Sequence, residues 1–244
     1  MPKLDAVIQD LVCANRILAA ERVVDAFGHV SVRHSEDPQR YLLSRARAPD
    51  LIEPDDIMEF TLDGQPIDGQ GRKPYNERFI HGALYEARPD IHSVVHSHSL
   101  SVIPFGVTGE KLRPIMHMCA SIGHEVPIWD PQTKFGDTDM LVRNMELGRD
   151  LARCVGNGTT ALMRGHGAVV AGDSLRAATF TAVYLEVNAN LQERSRHAKI
   201  SFLTPGEIGQ IMARFNRRNS AEGHDRAWEY WCRRAGVPYT PSSA

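Results

Sequence analysis

Apolar residues recur at two different spacings along this chain, and each spacing predicts a different backbone structure. In four segments they return every three or four positions, which is the period of an amphipathic helix. Ser174 is the first residue of the last of these segments, where its hydroxyl is placed to cap the helix. The four predicted helices cover residues 4–20, 75–88, 139–155 and 174–198.

Other segments alternate apolar and polar residues, which is the period of a strand. Asp63 and Gly64 form a turn pair between apolar flanks and predict a hairpin over residues 62–68. The predicted strands cover 28–34, 40–46, 92–99 and 160–172, the last containing a glycine turn between two strands. Shorter helical segments are predicted at 53–60, 116–123 and 227–236.

Helices and strands are interleaved throughout, which favours a single α/β domain over residues 1–244. We expect a C-terminal helical extension at about 203–244. Its two tryptophans, Trp228 and Trp231, share one helix face and are more typical of a packed anchor than of a ligand cage.

The composition excludes several classes of function. Its 28 basic and 30 acidic side chains leave a formal charge of −2, so we expect neither nucleic acid nor an anionic membrane as partner. No apolar run approaches the roughly 18 residues of a membrane span. The N-terminus lacks a signal-peptide pattern, which favours the cytoplasm. The four cysteines form no CxxC pair, so reduced thiols are expected.

Three histidines form the candidate metal site. His96 and His98 lie two apart in a predicted strand, so their imidazoles point to the same face and could chelate a metal. His166 lies between Gly165 and Gly167 and is the candidate third ligand. Taken alone, His96 and His98 are equally compatible with two exposed histidines on a strand. Taken alone, His166 is equally compatible with an exposed histidine in a turn.

Glu77 is the candidate carboxylate of the site. It falls in the first turn of the predicted helix 75–88 and could serve as ligand, base or acid beside a dication. A helix-start acid favoured by the helix dipole is the alternative interpretation. His81 lies four residues later on the same helix face, where we favour a structural hydrogen-bonding role over metal binding.

Taken together, these motifs resemble the class II aldolase/adducin superfamily. The resemblance rests on Glu77, the ARPD sequence at 87–90, the HSH sequence at 96–98 and the RGHG turn at 164–167, in that order. It covers about residues 5–200. It implies a three-layer α/β/α sandwich with a mostly antiparallel central sheet. It also implies tetramers with active sites at subunit interfaces.

The resemblance also implies the composition of the site. One divalent metal ion per subunit would be held by His96, His98 and His166, with Glu77 as the catalytic carboxylate. Three imidazoles suit Zn²⁺ or Mn²⁺, with Fe²⁺ or Co²⁺ as further options, and the order of affinities does not decide among them.

The sequence departs from the sugar-phosphate aldolases of this superfamily where those enzymes hold phosphate. Their Gly-Asn-x-Ser loop is replaced by GHVS at 28–31, and their Thr-Gly pair by LSRA at 43–46. Tyr75 and Asn76 stand where two serines precede the glutamate. The tyrosine that aldolases use on the far side of the metal is also missing, with Trp129 near that position.

These departures resemble the decarboxylase branch of the superfamily, which acts on hydroxylated aromatic or pyridine dicarboxylates. We therefore expect a metal-dependent carboxy-lyase with a small carboxylate substrate. An aldolase or epimerase acting on a sugar or sugar phosphate is the first alternative, and a non-catalytic adducin-like interaction protein is the second. Candidate substrate-binding residues are His29, Arg78 and Arg164, and for each arginine a surface salt bridge is an equally good interpretation. Glu77 would be the general acid, which requires a raised pKa or a proton relay.

Overall fold

The centre of the protein is a seven-stranded sheet, seen in a computed structural model that describes residues 4–67, 69, 71–215, 221–239 and 241. The strands are β1 (His29–Arg33), β2 (Arg40–Ser44), β3 (Ile57–Thr61), β4 (Ser93–Ser97), β5 (Ile128–Trp129), β6 (Thr160–Met163) and β7 (Gly167–Gly172). Their order across the sheet is β3-β2-β1-β4-β7-β6-β5. Only the pairing of β5 with β6 is parallel among these strands.

Helices cover both faces of this sheet. They are α1 (Leu4–Ala20), α2 (Arg78–Ala87), α3 (Ile103–Thr108), α4 (Gln132–Phe135), α5 (Met145–Val155), α6 (Leu175–Ser195), α7 (Pro205–Phe215) and α8 (Ala221–Arg234). Helices α1, α6 and α8 share one apolar core with one face of the sheet. Helices α2 and α5 share a second core with the opposite face. The three-layer α/β/α sandwich with a mostly antiparallel sheet is therefore confirmed.

The alternation of side chains along β1 and β4 decides which residues meet α2. Val30 and Val95 belong to the core on the α1 and α6 side, whereas Val94 belongs to the core on the α2 side. His29 pairs with His96 in the antiparallel register of β1 and β4. Since a strand turns successive side chains to opposite faces, His96 follows Val94 onto the side of α2.

Several boundaries differ from the sequence predictions. Helix α2 begins at Arg78, so Glu77 occupies the N-cap position rather than the first turn. Helix α5 begins only at Met145, because the Asn144 side chain accepts a hydrogen bond from the backbone N–H of Leu147 and caps the helix there. The predicted helical turn at 53–60 is a 3-10 turn (Pro54–Asp56) that leads directly into β3.

Other predictions hold. The glycine turn joins β6 to β7, and Ser174 caps α6 by accepting a hydrogen bond from the backbone N–H of Ala177. The chain folds back after β3 as expected for the 62–68 hairpin, although residue 68 lies outside the described residues. Trp228 and Trp231 are buried in the core, and the four cysteines are free. Residues 216–220, 240 and 242–244 of the predicted extension also lie outside the described part of the chain.

No helix among the described residues is both long enough and apolar enough to cross a bilayer. The short elements α3, α4 and β5 were not predicted.

Gly82 sets how closely α2 can approach the turn after β3. A Cβ atom at this position would lie 2.0 Å from the carbonyl oxygen of Leu62. We therefore expect Gly82→Ala to lower the free energy of unfolding by about 1–3 kcal/mol, because the backbone must move. Gly209→Ala is the matched control, since a Cβ there has open space within a helix. Alanine at Gly209 should stabilise by up to about 1 kcal/mol. Urea unfolding measures both, and equal effects would contradict the close approach.

Candidate metal centre

Four side chains converge on one point at the C-terminal end of β4, the central strand of the sheet. One ligand atom from each of Glu77, His96, His98 and His166 lies within 4.8 Å of the others. The Nε2 atom of His98 is 3.2 Å from that of His96 and 3.0 Å from that of His166. Glu77 Oε2 lies 3.5 Å from the Nε2 atoms of both His96 and His166. The structure thus brings together all four residues predicted for the site.

Each of the four comes from a different local structure. His96 lies within β4, and His98 follows directly after that strand, facing the same way. His166 occupies the tight turn between β6 and β7, where Gly165 adopts a positive φ of 64°. Glu77 occupies the N-cap position of α2, and its side chain makes no capping hydrogen bond there. Strand β7 lies so close to β4 that a Cβ on Gly167 would be 2.0 Å from the carbonyl oxygen of Ser97.

Backbone carbonyls fix the tautomers of two of these histidines. The Nδ1 atom of His96 lies 3.1 Å from the carbonyl oxygen of Ala168, and that of His166 lies 3.1 Å from the carbonyl oxygen of Met140. A carbonyl accepts hydrogen bonds only, so Nδ1 carries the hydrogen in both neutral rings. Their Nε2 lone pairs are then free and point at the centre of the group, as in metal-ligating histidines.

This donor set fits a divalent metal ion. The Nε2 lone pairs of two imidazoles with fixed tautomers face a carboxylate oxygen. These electron-rich atoms repel one another unless a positive charge lies between them. Ligand atoms at 2.0–2.2 Å from a tetrahedral ion are separated by about 3.3–3.6 Å. Four of the six separations between these atoms are 3.0–3.5 Å, close to that range, and all six are within 4.8 Å. A Glu/His₃ group that could hold one metal ion is therefore present, as predicted.

Protonation at the site favours metal binding. Burial, together with His96 and His166, lowers the pKa of His98 to about 4, so its ring is neutral near pH 7. Burial raises the pKa of the Glu77 carboxyl, but positive charge at His96 and His166, in the place that a dication would take, outweighs burial and holds that pKa well below its ordinary value. Glu77 is thus an ionised carboxylate, and the raised pKa that a resting general acid would need is not observed.

Glu77 is also held in place by the backbone. Its Oε1 atom accepts a hydrogen bond of 3.0 Å from the backbone N–H of Val142, which leaves Oε2 facing the histidines. The same irregular segment provides the carbonyl of Met140 to His166. These contacts have no signal in the sequence, because the apolar spacing of 139–155 predicts a helix and because backbone groups carry no residue signature.

A cavity of about 420 Å³ opens onto the group. Its lining includes Glu77, His98 and His29, and it also includes Tyr75. The volume is in the range of small-molecule sites. Arg47 and Lys73 bring positive charge to the lining, which favours an anionic ligand. Sequence analysis singled out neither cation, since Arg47 and Lys73 follow no recognisable motif and reach the cavity only through the fold.

Two predicted substrate-binding arginines have other partners in this structure. Arg78 donates hydrogen bonds to the carbonyl oxygens of Gly64 and Tyr75. Arg164 forms an ion pair of 2.7 Å with Asp130. Neither lines the cavity. To bind substrate, each guanidinium would have to give up these contacts, so their role stays a prediction.

His29 does line the cavity, and His81 lies behind it. The Nδ1 atom of His29 is 2.7 Å from Nε2 of His81, whose Nδ1 atom is 2.6 Å from Oγ of Ser31. Burial is the main cause that lowers the pKa of His81 to about 3. His81 is therefore a neutral, hydrogen-bonded core residue outside the metal group, in agreement with the structural role predicted for it.

Comparison with known proteins finds one matching family and related decarboxylases. A family model described as Class II Aldolase and Adducin N-terminal domain matches residues 9–192. The decarboxylase tropJ of Talaromyces stipitatus is 33% identical over 251 residues, which cover 93% of this chain and 92% of that protein. The 3,4-dihydroxyphthalate decarboxylase of Arthrobacter keyseri is 32% identical over 193 residues, or 73% of this chain and 74% of that protein.

A solved structure matches the fold along nearly the whole chain. The aldolase II superfamily protein from Pseudomonas syringae superposes with a TM-score of 0.79 and 21% identity, covering 96% of this chain and 94% of the other. At that level of identity the likeness concerns the arrangement of helices and strands.

Proposed function

This chain belongs to the class II aldolase and adducin family, and we propose that it is a metal-dependent decarboxylase of a hydroxylated aromatic or pyridine dicarboxylate. It is a carbon–carbon lyase of the carboxy-lyase class. The observation that carries the proposal is the Glu/His₃ group at the end of a cavity lined by cations and an aromatic ring.

The proposed metal ligands are His96, His98 and His166. A dication bound there would act as a Lewis acid for the charge that develops beside the leaving carboxylate. A hydroxyl ortho to that carboxylate would give the substrate two adjacent oxygens with which to bind the dication. The prediction is one divalent ion, Zn²⁺, Mn²⁺, Fe²⁺ or Co²⁺, and the ligand set does not choose among these four.

Glu77 is the proposed proton-transfer residue. Because it is ionised at the outset, it must accept a proton before it can donate one. The ortho hydroxyl of the substrate is the proposed source of that proton. When the bond between ring and carboxylate breaks, its electron pair stays on the ring carbon, and this carbon takes the proton from Glu77. The substrate oxygen recovers a proton from solvent, and Glu77 is again a carboxylate.

The second carboxylate of the substrate needs its own partners. His29 is the proposed contact inside the cavity, with Arg78 and Arg164 as the further predicted contacts. Arg47 and Lys73 line the cavity and are two further candidate contacts. The guanidinium of Arg47 is 2.6 Å from a carboxylate oxygen of Asp56. Lys73 is exposed and forms no ion pair with the described residues.

Lys73→Met should raise KM for the dicarboxylate by about five- to ten-fold with a smaller change in kcat, because an exposed charge contributes modestly to ground-state binding. Lys111→Met is the control, since Lys111 pairs with Glu125 and does not line the cavity. Steady-state kinetics test both. An unchanged KM in Lys73→Met would contradict the contact, and the same assay on Arg78→Met and Arg164→Met decides their predicted roles.

The main alternative is an aldolase or epimerase acting on a sugar or sugar phosphate, since a metal-bound enediolate needs the same metal site. Against it stands Tyr75, whose ring packs on His29 with 4.5 Å between centroids, at the position where small residues would admit phosphate. A non-catalytic interaction role is the weaker alternative, because a scaffold has no need of the metal group.

Product analysis separates these functions. Metal-loaded protein is incubated with dihydroxyphthalates, with hydroxypyridine dicarboxylates and with sugar 1-phosphates, and release of CO₂ and of aldehyde is followed. The proposal predicts CO₂ only from substrates with a hydroxyl ortho to a carboxylate, and none from isomers with that hydroxyl in the meta position. Aldehyde release from a sugar phosphate without CO₂ would establish the aldolase. Protein that purifies without metal and turns over nothing would favour the scaffold.

Assembly stays a prediction from the family resemblance. We expect a homotetramer with active sites at subunit interfaces and a small carboxylate as the only further partner.

A further inference from the structure

A buried chain of hydrogen bonds leads from the core to His29 in the cavity, and its other three members have no role in the reaction described so far. The hydroxyl of Tyr85 is 2.7 Å from Oγ of Ser31. Ser31 Oγ is 2.6 Å from Nδ1 of His81, and His81 Nε2 is 2.7 Å from Nδ1 of His29. All four side chains are at least 97% buried, and only His29 lines the cavity.

Tyr85, at the buried end of this hydrogen-bond chain, sets the direction in which each member donates its hydrogen. Among the described residues, Ser31 Oγ is the only hydrogen-bond acceptor available to the Tyr85 hydroxyl, from side chains and backbone alike. Tyr85 therefore donates to Ser31, and Ser31 donates to Nδ1 of His81. A neutral imidazole has one N–H, so His81 carries its hydrogen on Nε2 and donates it to Nδ1 of His29. The remaining hydrogen of the chain is then on Nε2 of His29.

The ring of His29 is confined on its other sides. Tyr75 packs on it at 4.5 Å and His96 at 5.0 Å between ring centroids. His29 is only 3% exposed, and a positive charge on so deeply buried a ring is unfavourable, so the neutral ring carries a single N–H. With Nδ1 occupied by His81, Nε2 is the nitrogen that can meet a ligand. The cations Arg47 and Lys73 in the same lining favour an anionic oxygen as that ligand.

We propose that Tyr85, Ser31 and His81 are positioning residues that hold the hydrogen of His29 on Nε2, so that His29 donates a fixed hydrogen bond to an anionic oxygen of the substrate. A fixed donor selects substrates with an acceptor at that place, because an unpaired buried donor is unfavourable. The inference rests on the proposed function for the identity of that oxygen as the retained carboxylate.

Tyr85→Phe and Ser31→Ala test this chain at two different links. Each removes one hydroxyl and keeps most of the side-chain shape. Both should raise KM about ten- to hundred-fold for the dicarboxylate, as loss of a hydrogen bond to a charged group does, with a smaller change in kcat. The double variant should lose no more than the single variants, since the residues act as a unit.

Tyr41→Phe is the matched control. Tyr41 is as fully buried as Tyr85, its ring belongs to the same core, and its hydroxyl donates to the backbone carbonyl of Arg78 rather than to the chain. It should leave KM within about three-fold of the wild-type value.

A second readout does not depend on turnover. Two-bond ¹⁵N–¹H correlation spectra of histidine-labelled, zinc-loaded protein report which ring nitrogen carries the hydrogen, and His29→Gln identifies the signal of His29. We expect Nε2–H for His29 in wild type and in Tyr41→Phe, and a mixed or reversed tautomer in Tyr85→Phe and Ser31→Ala.

The two readouts separate this inference from the proposed function. If wild-type protein releases no CO₂ from any dicarboxylate, the proposed function fails, while the spectra still decide on the hydrogen-bond chain. A tautomer of His29 that is the same in all variants would overturn the inference. So would an equal rise of KM in Tyr41→Phe and Tyr85→Phe, because that pattern reflects a general disturbance of the core.

Discussion

His98→Ala is expected to abolish stoichiometric metal binding and to lower kcat/KM for CO₂ release by about 10³-fold or more. His98 is the central member of the group, with its Nε2 atom 3.2 Å from that of His96 and 3.0 Å from that of His166. Its removal leaves Glu77 and two imidazoles, one nitrogen donor fewer than the three that are proposed to bind the metal. Loss of a catalytic metal removes several kcal/mol of transition-state stabilisation, which corresponds to a rate factor of that size.

His92→Ala is the control for this variant. His92 lies just before β4 on an exposed position, and its backbone N–H bonds to the carbonyl oxygen of Gly172, so the side chain can be removed without loss of that bond. Elemental analysis gives the metal content per chain, and the CO₂ assay gives kcat/KM. Full metal content and near-normal activity in His98→Ala would contradict the proposed ligand set.

Glu77→Gln is expected to lower kcat by about 10²–10⁴-fold, the range associated with loss of a general acid–base group. The amide keeps the size and the Oε1 acceptor that faces the Val142 N–H, so the local structure should persist. It cannot take a proton from the substrate and return it to the ring carbon. KM should stay within a few-fold, because the proposed contacts to the retained carboxylate are unchanged.

Glu86→Gln is the matched control on the same helix. Glu86 is exposed and forms an ion pair with Arg149 on the surface, away from the cavity lining. Metal analysis of Glu77→Gln separates two roles of Glu77. Retained metal with low kcat supports proton transfer, whereas loss of the ion would make Glu77 primarily a ligand. Normal kcat with metal bound would exclude Glu77 from the chemistry.

The metal group could be predicted from the sequence because each of its parts has a local signature. The two-residue spacing of His96 and His98 reports a shared strand face, and the glycines around His166 report a tight turn. Glu77 precedes a strongly amphipathic helix. Those local patterns are preserved in β4, in the β6–β7 turn and at the start of α2.

The contacts that complete the site depend on the tertiary fold and have no such signature. The Val142 N–H and the Met140 carbonyl come from an irregular segment that the apolar spacing of 139–155 made look helical. The cap at Asn144 overrides that spacing and starts α5 late. Lys73 reaches the cavity through the fold, since its backbone carbonyl accepts a hydrogen bond from the N–H of Ala46, just after β2. Strand β5 is only two residues long, too short for a detectable period.

Removal and restoration of the metal during CO₂ release is the measurement that tests metal-dependent decarboxylation most directly. Protein is stripped with a chelator, titrated with a divalent ion, and assayed at each step with a ¹³C-carboxylate-labelled ortho-hydroxy aromatic dicarboxylate. We expect no CO₂ release from stripped protein and a recovery that is linear in added metal until one ion per chain is bound. CO₂ release that persists without metal, or a fully loaded protein that releases none from any substrate of this class, would contradict it.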